Sequence, residues 1–119
     1  MAIATWTADY LRQTPVAERR ALLPKHLLEL VVRAEKAIAP KRIILFGSRA
    51  RGDARVNSDF DIAFESPLAS AWPQFVFEGS DSLPSLYGYD FVNMDEVDPR
   101  FRDKILREGI ILTQRDLGE

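Results

Sequence analysis

The sequence predicts an α/β (α+β) domain in which helices flank a small mixed β-sheet. Three observations support this class. An apolar stripe with helical spacing ends before Pro40, short apolar and partly β-branched segments follow it, and further helical segments are interspersed with those strands. A chain of 119 residues has room for one domain. We expect residues 1–23 to form a helical extension and residues 24–119 to form that single domain.

The first third of the chain is predicted to be helical. Thr5 to Gln13 fits a short helix, Pro15 follows a break and can begin a second helix, and Pro24 can begin or kink the next one. That helix ends before Pro40, and its apolar stripe has the spacing of a single helix face. The stripe consists of Leu27, Leu30, Val31, Ala34 and Ile38.

Three segments are predicted to be β-strands. Arg42 to Phe46 is short, apolar and partly β-branched, which is typical of a buried strand. Phe60 to Phe64 is the second strand, in which alternation places Asp59 and Asp61 on one face and apolar residues on the other. Tyr89 to Met94 is the third.

The remaining segments complete the order of elements. Between the second and third strands, Pro67 to about Phe77 predicts a helix, and Gly79 to Gly88 predicts a loop rich in Ser, Asp, Pro and Gly. After the third strand, Asp98-Pro99 predicts a helix start and Gly109 its end. Ile110 to Thr113 predicts a short edge strand.

The amino-acid composition limits the disulfides and metal sites that this domain can contain. The chain has no cysteine and one histidine, which excludes disulfides and thiolate metal sites and disfavours a His-rich zinc site. We expect any metal here to be a hard cation held by oxygen ligands. His26 lies among leucines and is interpreted as a helix-surface residue without a ligand role. The Glu18-Arg19-Arg20 run is interpreted as a solvated helix face.

Charge and hydropathy predict a cytoplasmic protein. The formal net charge of −2 gives no general attraction to nucleic acid or to anionic membranes, so neither partner is indicated. Apolar segments stay well short of the length of a transmembrane helix, and the N-terminal residues lack a signal-peptide pattern.

The segment after the first strand has the features of a phosphate-binding loop. Gly47-Ser48 breaks the strand and leads into a short helix or turn from Ser48 to Arg51. Glycine lets a ligand approach the backbone closely, N–H groups at a helix start point toward an anion, and the Ser48 hydroxyl adds a donor. The segment is not a Walker A loop, because its glycines are not followed by Lys and then Ser or Thr. A plain strand-to-helix turn is the alternative interpretation.

Asp59 and Asp61 are separated by one residue, which on a strand directs both carboxylates to the same side. Two like charges so close repel each other or raise a pKa, and a divalent cation removes this conflict. Mg²⁺ is typically held by one or two carboxylates together with substrate phosphates. The alternative is a solvent-exposed strand face whose other side is apolar.

Asp90 is a single acid in an otherwise apolar strand. A buried carboxylate needs a partner or a metal, whereas solvation at a strand edge is the alternative. If this strand pairs with the one that carries Asp59 and Asp61, three acids converge, which is the ligand set for two metal ions about 3.5–4 Å apart. Three carboxylates beside a phosphate-binding loop indicate phosphoryl or nucleotidyl transfer.

This region contains two stretches that belong together, Gly47-Ser48-Arg49-Ala50-Arg51-Gly52 and Ser58-Asp59-Phe60-Asp61-Ile62. They closely resemble the signature of the polymerase-β-like nucleotidyltransferase superfamily, and the short chain resembles its minimal, single-domain MNT branch. The signature spans residues 43–64, and with Asp90 the resemblance reaches about half of the chain. The resemblance implies the polymerase-β-like nucleotidyltransferase fold for residues 24–119, and residues 1–23 depart from the branch as an extension before its usual first helix.

The resemblance implies a role for each matching residue. Asp59 and Asp61 would bind two Mg²⁺ ions, and Asp90 would complete the metal site and help to deprotonate the acceptor hydroxyl. Gly47 and Ser48 would contact the triphosphate of ATP, the nucleotide donor.

Arg51 and Ser58 belong to the same implied nucleotide-binding set. Arg51 either helps to neutralise phosphate or braces the loop through salt bridges, and arginine suits both roles equally.

The resemblance also implies a biological partner. Minimal members commonly act as antitoxins in HEPN/MNT toxin–antitoxin pairs, and some transfer AMP from ATP to a tyrosine of the HEPN-domain toxin. We therefore expect a metal-dependent AMP transferase that modifies a hydroxyl of such a toxin. The alternatives are a catalytically weak antitoxin that binds its toxin directly and a small-molecule, antibiotic-type nucleotidyltransferase. A homodimer and a hetero-oligomer with the toxin are both compatible with the sequence.

Overall fold

A four-stranded mixed sheet organises the chain, which a computed structural model describes at residues 7–55, 58–82 and 88–115. β1 is antiparallel to both β2 and β4, whereas β2 and β3 are parallel. This mixed sheet with flanking helices confirms the predicted fold class, and each strand lies within one residue of its predicted bounds. The strands, in spatial order β3-β2-β1-β4, are β1 (Arg42–Phe46), β2 (Phe60–Glu65), β3 (Tyr89–Asn93) and β4 (Ile110–Gln114).

The helices are short. The longest has 14 residues, and in the segments that the structure describes no helix combines the length and apolar character needed to cross a membrane. The helix predicted from Thr5 begins at Ala8, after a capping Thr7, and residues 1–6 lie outside the described part. The helices are α1 (Ala8–Gln13), α2 (Val16–Arg19), a 3₁₀ turn (Arg20–Leu22), α3 (Lys25–Ile38), α4 (Ser48–Arg51), α5 (Trp72–Ser82) and α6 (Pro99–Glu108).

The strand directions bring four chain segments to one edge of the sheet, called the upper edge below. β2 and β3 are parallel and both begin here. β1 runs in the opposite direction and ends here, with Phe46 paired to Asp61. β4 also begins here, since Ile110 pairs with Leu45 near the end of β1. The loop after β1 therefore lies beside the starts of β2 and β3.

One face of the sheet carries the main hydrophobic core. The strands contribute alternate residues such as Phe60, Ile62 and Phe64, and α5 contributes Phe75. α3 ends before Pro40, as predicted. Its predicted stripe is buried against this face, because residues three and four apart share one side of a helix. Leu27, Leu30, Val31, Ala34 and Ile38 are all 0% exposed.

The opposite face of the sheet has a smaller core and is covered in part by α6. Ile105 of α6 packs with Ile44, Ala63 and Met94. The start of α6 is the predicted one, because the Asp98 side chain accepts a hydrogen bond from a backbone N–H of the first turn at 2.8 Å.

The N-terminal segment packs into the same main core as the rest of the chain. Leu11 is 0% exposed and Leu23 is 8% exposed within that core. The interpretation of the run at residues 18–20 as a solvated face is wrong for Arg19, whose guanidinium is part-buried against β4. Arg19 donates to the Ile111 carbonyl at 2.8 Å, and Arg20 forms an ion pair with α3 at 2.7 Å. Long arginine side chains can lie along the protein while their charged ends meet acceptors.

Helix α5 differs from its predicted bounds at both ends. The prediction covers Pro67–Phe77, whereas the helix spans Trp72–Ser82. The chain before it is held outside a helix, because the Leu68 N–H donates to the Ile38 carbonyl at the end of α3, at 2.8 Å. The helix then continues into the predicted loop at residues 79–88, since extending a formed helix costs less than starting one. Residues 83–87 of that loop lie outside the described segments.

Glu65 joins three elements at the end of β2 that is remote from the upper edge. Its side chain is 5% exposed and accepts hydrogen bonds from Nε and Nη2 of Arg42 and, at 2.9 Å, from Arg102 of α6. Arg102 also donates to the Met94 carbonyl at 3.1 Å. The hydrogen bonds from Arg42 lower the pKa of Glu65, and they outweigh the opposing effect of burial.

We expect Glu65→Gln to lower the free energy of unfolding at pH 7 by about 2–3 kcal/mol, because it leaves two arginines without their shared counter-charge. A lowered folded-state pKa means that Glu65 stabilises the protein above its unfolded-state pKa, and that this stabilisation is lost as the pH falls through the folded-state value. The difference in the free energy of unfolding between wild type and variant should be fully present at pH 7. It should shrink as the pH falls below 4.5, the ordinary pKa of a glutamate side chain. Denaturation in guanidinium at several pH values measures it.

Glu35→Gln is the matched control for this prediction. Glu35 also accepts two hydrogen bonds from one arginine, Arg20, but its side chain is 35% exposed. Exposed ion pairs contribute about 0–1 kcal/mol. Equal losses of stability in the two variants would contradict the importance of burial at Glu65.

Candidate active site

Three acidic residues meet at the upper edge. Asp61 of β2 and Asp90 of β3 are paired across the parallel strands, and Asp59 lies directly before β2. Side chains alternate along a strand, so Asp61 and Asp90 share the face opposite the main core that contains Phe60 and Phe91. The strand pairing on which the prediction for Asp90 depended is therefore present.

The surroundings of Asp61 favour its protonated form. Burial raises its pKa, and the neighbouring Asp90 raises it further through repulsion and a hydrogen bond between the two carboxyl groups. Asp59 adds repulsion, whereas Arg51 acts in the opposite direction. Asp61 is half-buried, while Asp59 and Asp90 are exposed. This concentration of negative charge is unfavourable, and a bound cation would relieve it.

Gly47 allows the loop after β1 to touch Asp61. Its φ of +74° lies in the region that favours glycine, and it directly follows Phe46, the sheet partner of Asp61. A Cβ atom on Gly47 would lie 2.2 Å from Asp61 Oδ2. Glycine is therefore required here by the position of the carboxylate as well as by the backbone conformation.

A second glycine, Gly88, makes room for Asp59, a role that was not predicted from the sequence. A Cβ atom on Gly88 would lie 2.4 Å from Asp59 Oδ1. The Gly88 carbonyl also accepts a hydrogen bond from the Phe60 N–H at 2.9 Å. In the sequence, Gly88 closes a polar stretch and has the features of an ordinary turn residue. Its position directly before Tyr89-Asp90 is the signal that could have identified it.

Ser48 and Arg51, both predicted to contact nucleotide, are the first and last residues of α4. Ser48 is half-buried beside Gly47. Arg51 pairs with Asp53 at 3.3 Å on the surface, which is the bracing role considered for it. Its charge also acts on Asp61, which is compatible with phosphate binding at the same place.

Ser58 and Arg49 hold the chain that leads into β2. The Ser58 hydroxyl accepts a hydrogen bond from the Arg55 N–H at 2.8 Å, and the Ser58 carbonyl accepts one from Arg49 Nη2 at 2.8 Å. The Arg49 guanidinium lies 4.3 Å from the centre of the Phe60 ring, within the range of a cation–π contact. These contacts fix Ser58, the residue directly before Asp59.

His26 supports β3 from the main core, so its interpretation as a surface residue is wrong. The ring is half-buried, hydrogen-bonds through Nδ1 to the Tyr89 hydroxyl, and packs edge-on against Phe60 with ring centres 5.0 Å apart. Burial lowers the pKa of His26, and the nearby charge of Arg49 lowers it further. Tyr89 directly precedes Asp90, so His26 helps to hold the acid-bearing strand in place.

The acidic residues have the donor chemistry that a divalent cation requires. Carboxylate oxygens are hard ligands, and Mg²⁺ commonly takes one or two of them together with phosphate oxygens. Within residues 7–55, 58–82 and 88–115, the structure contains no group of three acidic or histidine side chains already arranged around one ion position. The residues therefore fit the cation in chemistry and proximity, and joint coordination by all three acids requires side-chain rotation. The exposure of Asp59 and Asp90 permits that rotation.

A cavity of about 110 Å³ lies between the Gly47 loop and α6. It adjoins the acids, because Gly47 touches Asp61 on one side and lines the cavity on the other. Two aromatic rings meet edge-on in its lining, with centres 5.8 Å apart. The lining includes Phe46, Gly47, Arg51, Phe101, Lys104 and Glu108.

Comparison with known proteins relates this arrangement to a family. Residues 29–117 match the family model described as "Polymerase beta, Nucleotidyltransferase". A comparison with curated proteins found no significant match. Among solved structures, the chain is similar to a candidate nucleotidyltransferase from Sulfolobus solfataricus, at 20% identity and a TM-score of 0.51, over 84% of this chain and 87% of that one. At this identity the likeness shows the fold alone. The family match covers the Gly47 loop and the three acids, and it begins after α1 and α2.

Proposed function

The chain belongs to the polymerase β nucleotidyltransferase family, and we propose that it transfers AMP from ATP to a hydroxyl group of a partner protein. Domains of this family generally use a nucleoside triphosphate and a divalent metal ion. We propose ATP as the triphosphate, Mg²⁺ as the metal ion and a protein hydroxyl as the acceptor.

The meeting of Asp59, Asp61 and Asp90 beside Gly47 carries this proposal. Two of these acids are paired across neighbouring strands, and the third precedes one of those strands. Burial raises the pKa of Asp61, and the negative charge gathered there raises it further. A carboxyl group with a raised pKa, grouped with other acids beside a cavity, is typical of a catalytic site.

The chemistry proposed for this site is an in-line displacement. Two Mg²⁺ ions held by the three acids would neutralise the triphosphate and the charge that develops on the leaving group. The acceptor oxygen attacks the α-phosphorus, the bond from that phosphorus to the bridging oxygen breaks, and pyrophosphate leaves with the electron pair. Asp90 would take the proton of the acceptor hydroxyl. Gly47 and Ser48 would hold the triphosphate against the loop.

The exposure of the site supports a large acceptor. Asp59 and Asp90 are exposed, and they lie on the face that α6 covers in part. A folded protein can therefore bring a side-chain hydroxyl to these acids. On the basis of the resemblance to the minimal branch, we propose that this acceptor is a HEPN-domain toxin and that the biological role is that of an antitoxin.

Incubation with α-labelled ATP, Mg²⁺ and the product of the adjacent gene tests this function. We expect label on the partner protein, and we expect Asp59→Asn to reduce labelling by at least about 100-fold, because one ligand of the reacting centre is lost. Asp95→Asn is the control, since Asp95 is an exposed acid that follows the far end of β3. Its labelling should equal that of wild type.

The outcomes separate the candidate functions. Labelling that persists in Asp59→Asn would contradict the assignment of the acids to catalysis. Full neutralisation of the toxin by Asp59→Asn, without label, would favour an antitoxin that acts by direct binding. Label that appears on an added small hydroxyl compound, and not on the protein, would favour a small-molecule transferase.

A further inference from the structure

The N-terminal segment, which the family match does not include, reaches the elements beside the candidate site through Arg12. This residue of α1 donates hydrogen bonds to three backbone carbonyls. Its Nη2 lies 3.2 Å from the Ala50 oxygen and 2.7 Å from the Glu108 oxygen, and its Nη1 lies 3.4 Å from the Gly109 oxygen. Ala50 belongs to α4, whereas Glu108 and Gly109 lie at the end of α6. One guanidinium therefore joins two elements that are remote from it in sequence.

The two elements that Arg12 joins are the two walls of the cavity beside Gly47. Arg51, the residue after Ala50, lines one wall, and Glu108 itself lines the other together with Lys104. A change in the distance between α4 and α6 would change the width of this cavity and the position of the loop that touches Asp61.

Arg12 is itself held in place from several directions. Its neighbour Leu11 is fully buried in the main core, close to the buried Ala50. The Thr7 hydroxyl caps the start of α1 at 3.1 Å, and Arg19 donates to the Arg12 carbonyl at 3.3 Å. A side chain whose own backbone is fixed can hold two other elements at a defined separation, whereas a freely moving side chain cannot.

We propose that Arg12 is a positioning residue of the nucleotide site, which sets the separation of α4 and α6 and thereby the affinity for a nucleoside triphosphate. The inference rests on the proposed function, because it assumes that a triphosphate binds beside Gly47. It extends the site to the segment at residues 7–23, which is thus a functional part of the domain. The guanidinium suits this task, since its planar fork presents several donors in a fixed geometry that an ammonium group lacks.

The test measures binding of Mg²⁺ and the α,β-methylene analogue of ATP, which cannot be cleaved at the reacting bond. We expect Arg12→Gln to raise the dissociation constant by about 10-fold, because small displacements of binding groups have large effects on a preorganised site. Arg12→Lys should raise it by a similar factor, although it keeps the positive charge. Normal affinity in Arg12→Lys would overturn the inference, since charge rather than position would then explain the loss in Arg12→Gln.

Arg20→Gln is the control for loss of stability. Arg20 also lies in the N-terminal segment and donates two hydrogen bonds to Glu35 of α3, but it bonds to neither α4, α6 nor Arg12. We expect it to lower the melting temperature as Arg12→Gln does and to leave the dissociation constant unchanged. An equal loss of affinity in both variants would show a general effect of destabilisation and would overturn the positioning role.

Hydrogen exchange of the α4 backbone gives a second readout that does not need a ligand. The N–H groups of Ala50 and Arg51 donate to the Gly47 carbonyl, and that of Gly52 donates to the Ser48 carbonyl, at 3.0 Å each. Arg12→Gln should increase their exchange, whereas Arg20→Gln should not. If the wild-type protein fails to bind the analogue, the proposed function fails and this inference fails with it. If the wild type binds and Arg12→Gln binds equally well, this inference alone fails.

Discussion

Replacement of Asp61 by asparagine is expected to reduce nucleotidyl transfer by about 1,000-fold and, at the same time, to stabilise the ion-free protein at pH 7. The activity falls because a neutral amide cannot replace a carboxylate that neutralises bound cations at the reacting phosphate. The stability rises because Asp61 is half-buried and repelled by Asp90 and Asp59, which raises its pKa and makes its charged form unfavourable in the folded protein. Asparagine keeps the shape and removes the charge.

Two measurements check this prediction. Label transfer gives the loss of activity, and thermal unfolding in EDTA gives the gain in stability. Addition of Mg²⁺ should raise the melting temperature of the wild type more than that of the variant, because binding to the folded state alone stabilises it. Asp95→Asn should change neither quantity. An Asp61→Asn protein that is less stable than wild type in EDTA would contradict the electrostatic account of the site.

Replacement of Gly47 by alanine is expected to reduce transfer by about 100-fold and to lower stability by more than about 1–2 kcal/mol. The backbone cost comes from the positive φ, which disfavours any residue with a Cβ atom. The additional cost comes from Asp61 Oδ2, which would lie 2.2 Å from the new Cβ atom. Either the carboxylate or the loop must move, and misplacement of a reacting group by about 1 Å costs about 100-fold in rate.

Gly52→Ala separates the two causes. Gly52 has a similar φ of +86°, but a Cβ atom there would meet nothing within 4 Å. This variant should lose about 1–2 kcal/mol of stability through its backbone and retain most of its transfer activity. Equal losses of activity in the two variants would show that strain in the loop, and not contact with Asp61, governs catalysis. Guanidinium denaturation measures the free energy of unfolding of each variant, and label transfer measures its activity.

The parts of the fold that the sequence predicted are those determined by local periodicity. The stripe of α3 repeats every three or four residues, and the alternation around Asp61 repeats every two. Each repeat by itself shows which residues share one side of the helix or strand. The Asp98-Pro99 start of α6 is equally local, because the cap and its target lie in one turn. Such features need no knowledge of the rest of the chain.

The parts that the sequence did not predict depend on contacts between distant residues. The function of Gly88 follows from the position of Asp59, directly before the neighbouring strand β2, and an isolated glycine after a polar stretch does not reveal it. The contacts of Arg12 lie in α4 and at the end of α6, so that in sequence it has the features of a surface arginine in a short helix. The helix predicted from Pro67 begins later, because Leu68 bonds to the end of α3.

The parallel pairing of β2 and β3 has a consequence for how the domain folds. Antiparallel β1 and β2 are neighbours in sequence, whereas β3 can join β2 only after α5 has carried the chain back to the upper edge. The pairing that unites Asp61 with Asp90 therefore closes a longer loop than the pairing of β1 with β2, and the repulsion between the two acids opposes it. We expect this contact to form after the β1–β2 pairing on the folding pathway. A chain that has formed only the β1–β2 pairing then lacks the acid pair, and we expect it not to consume nucleotide.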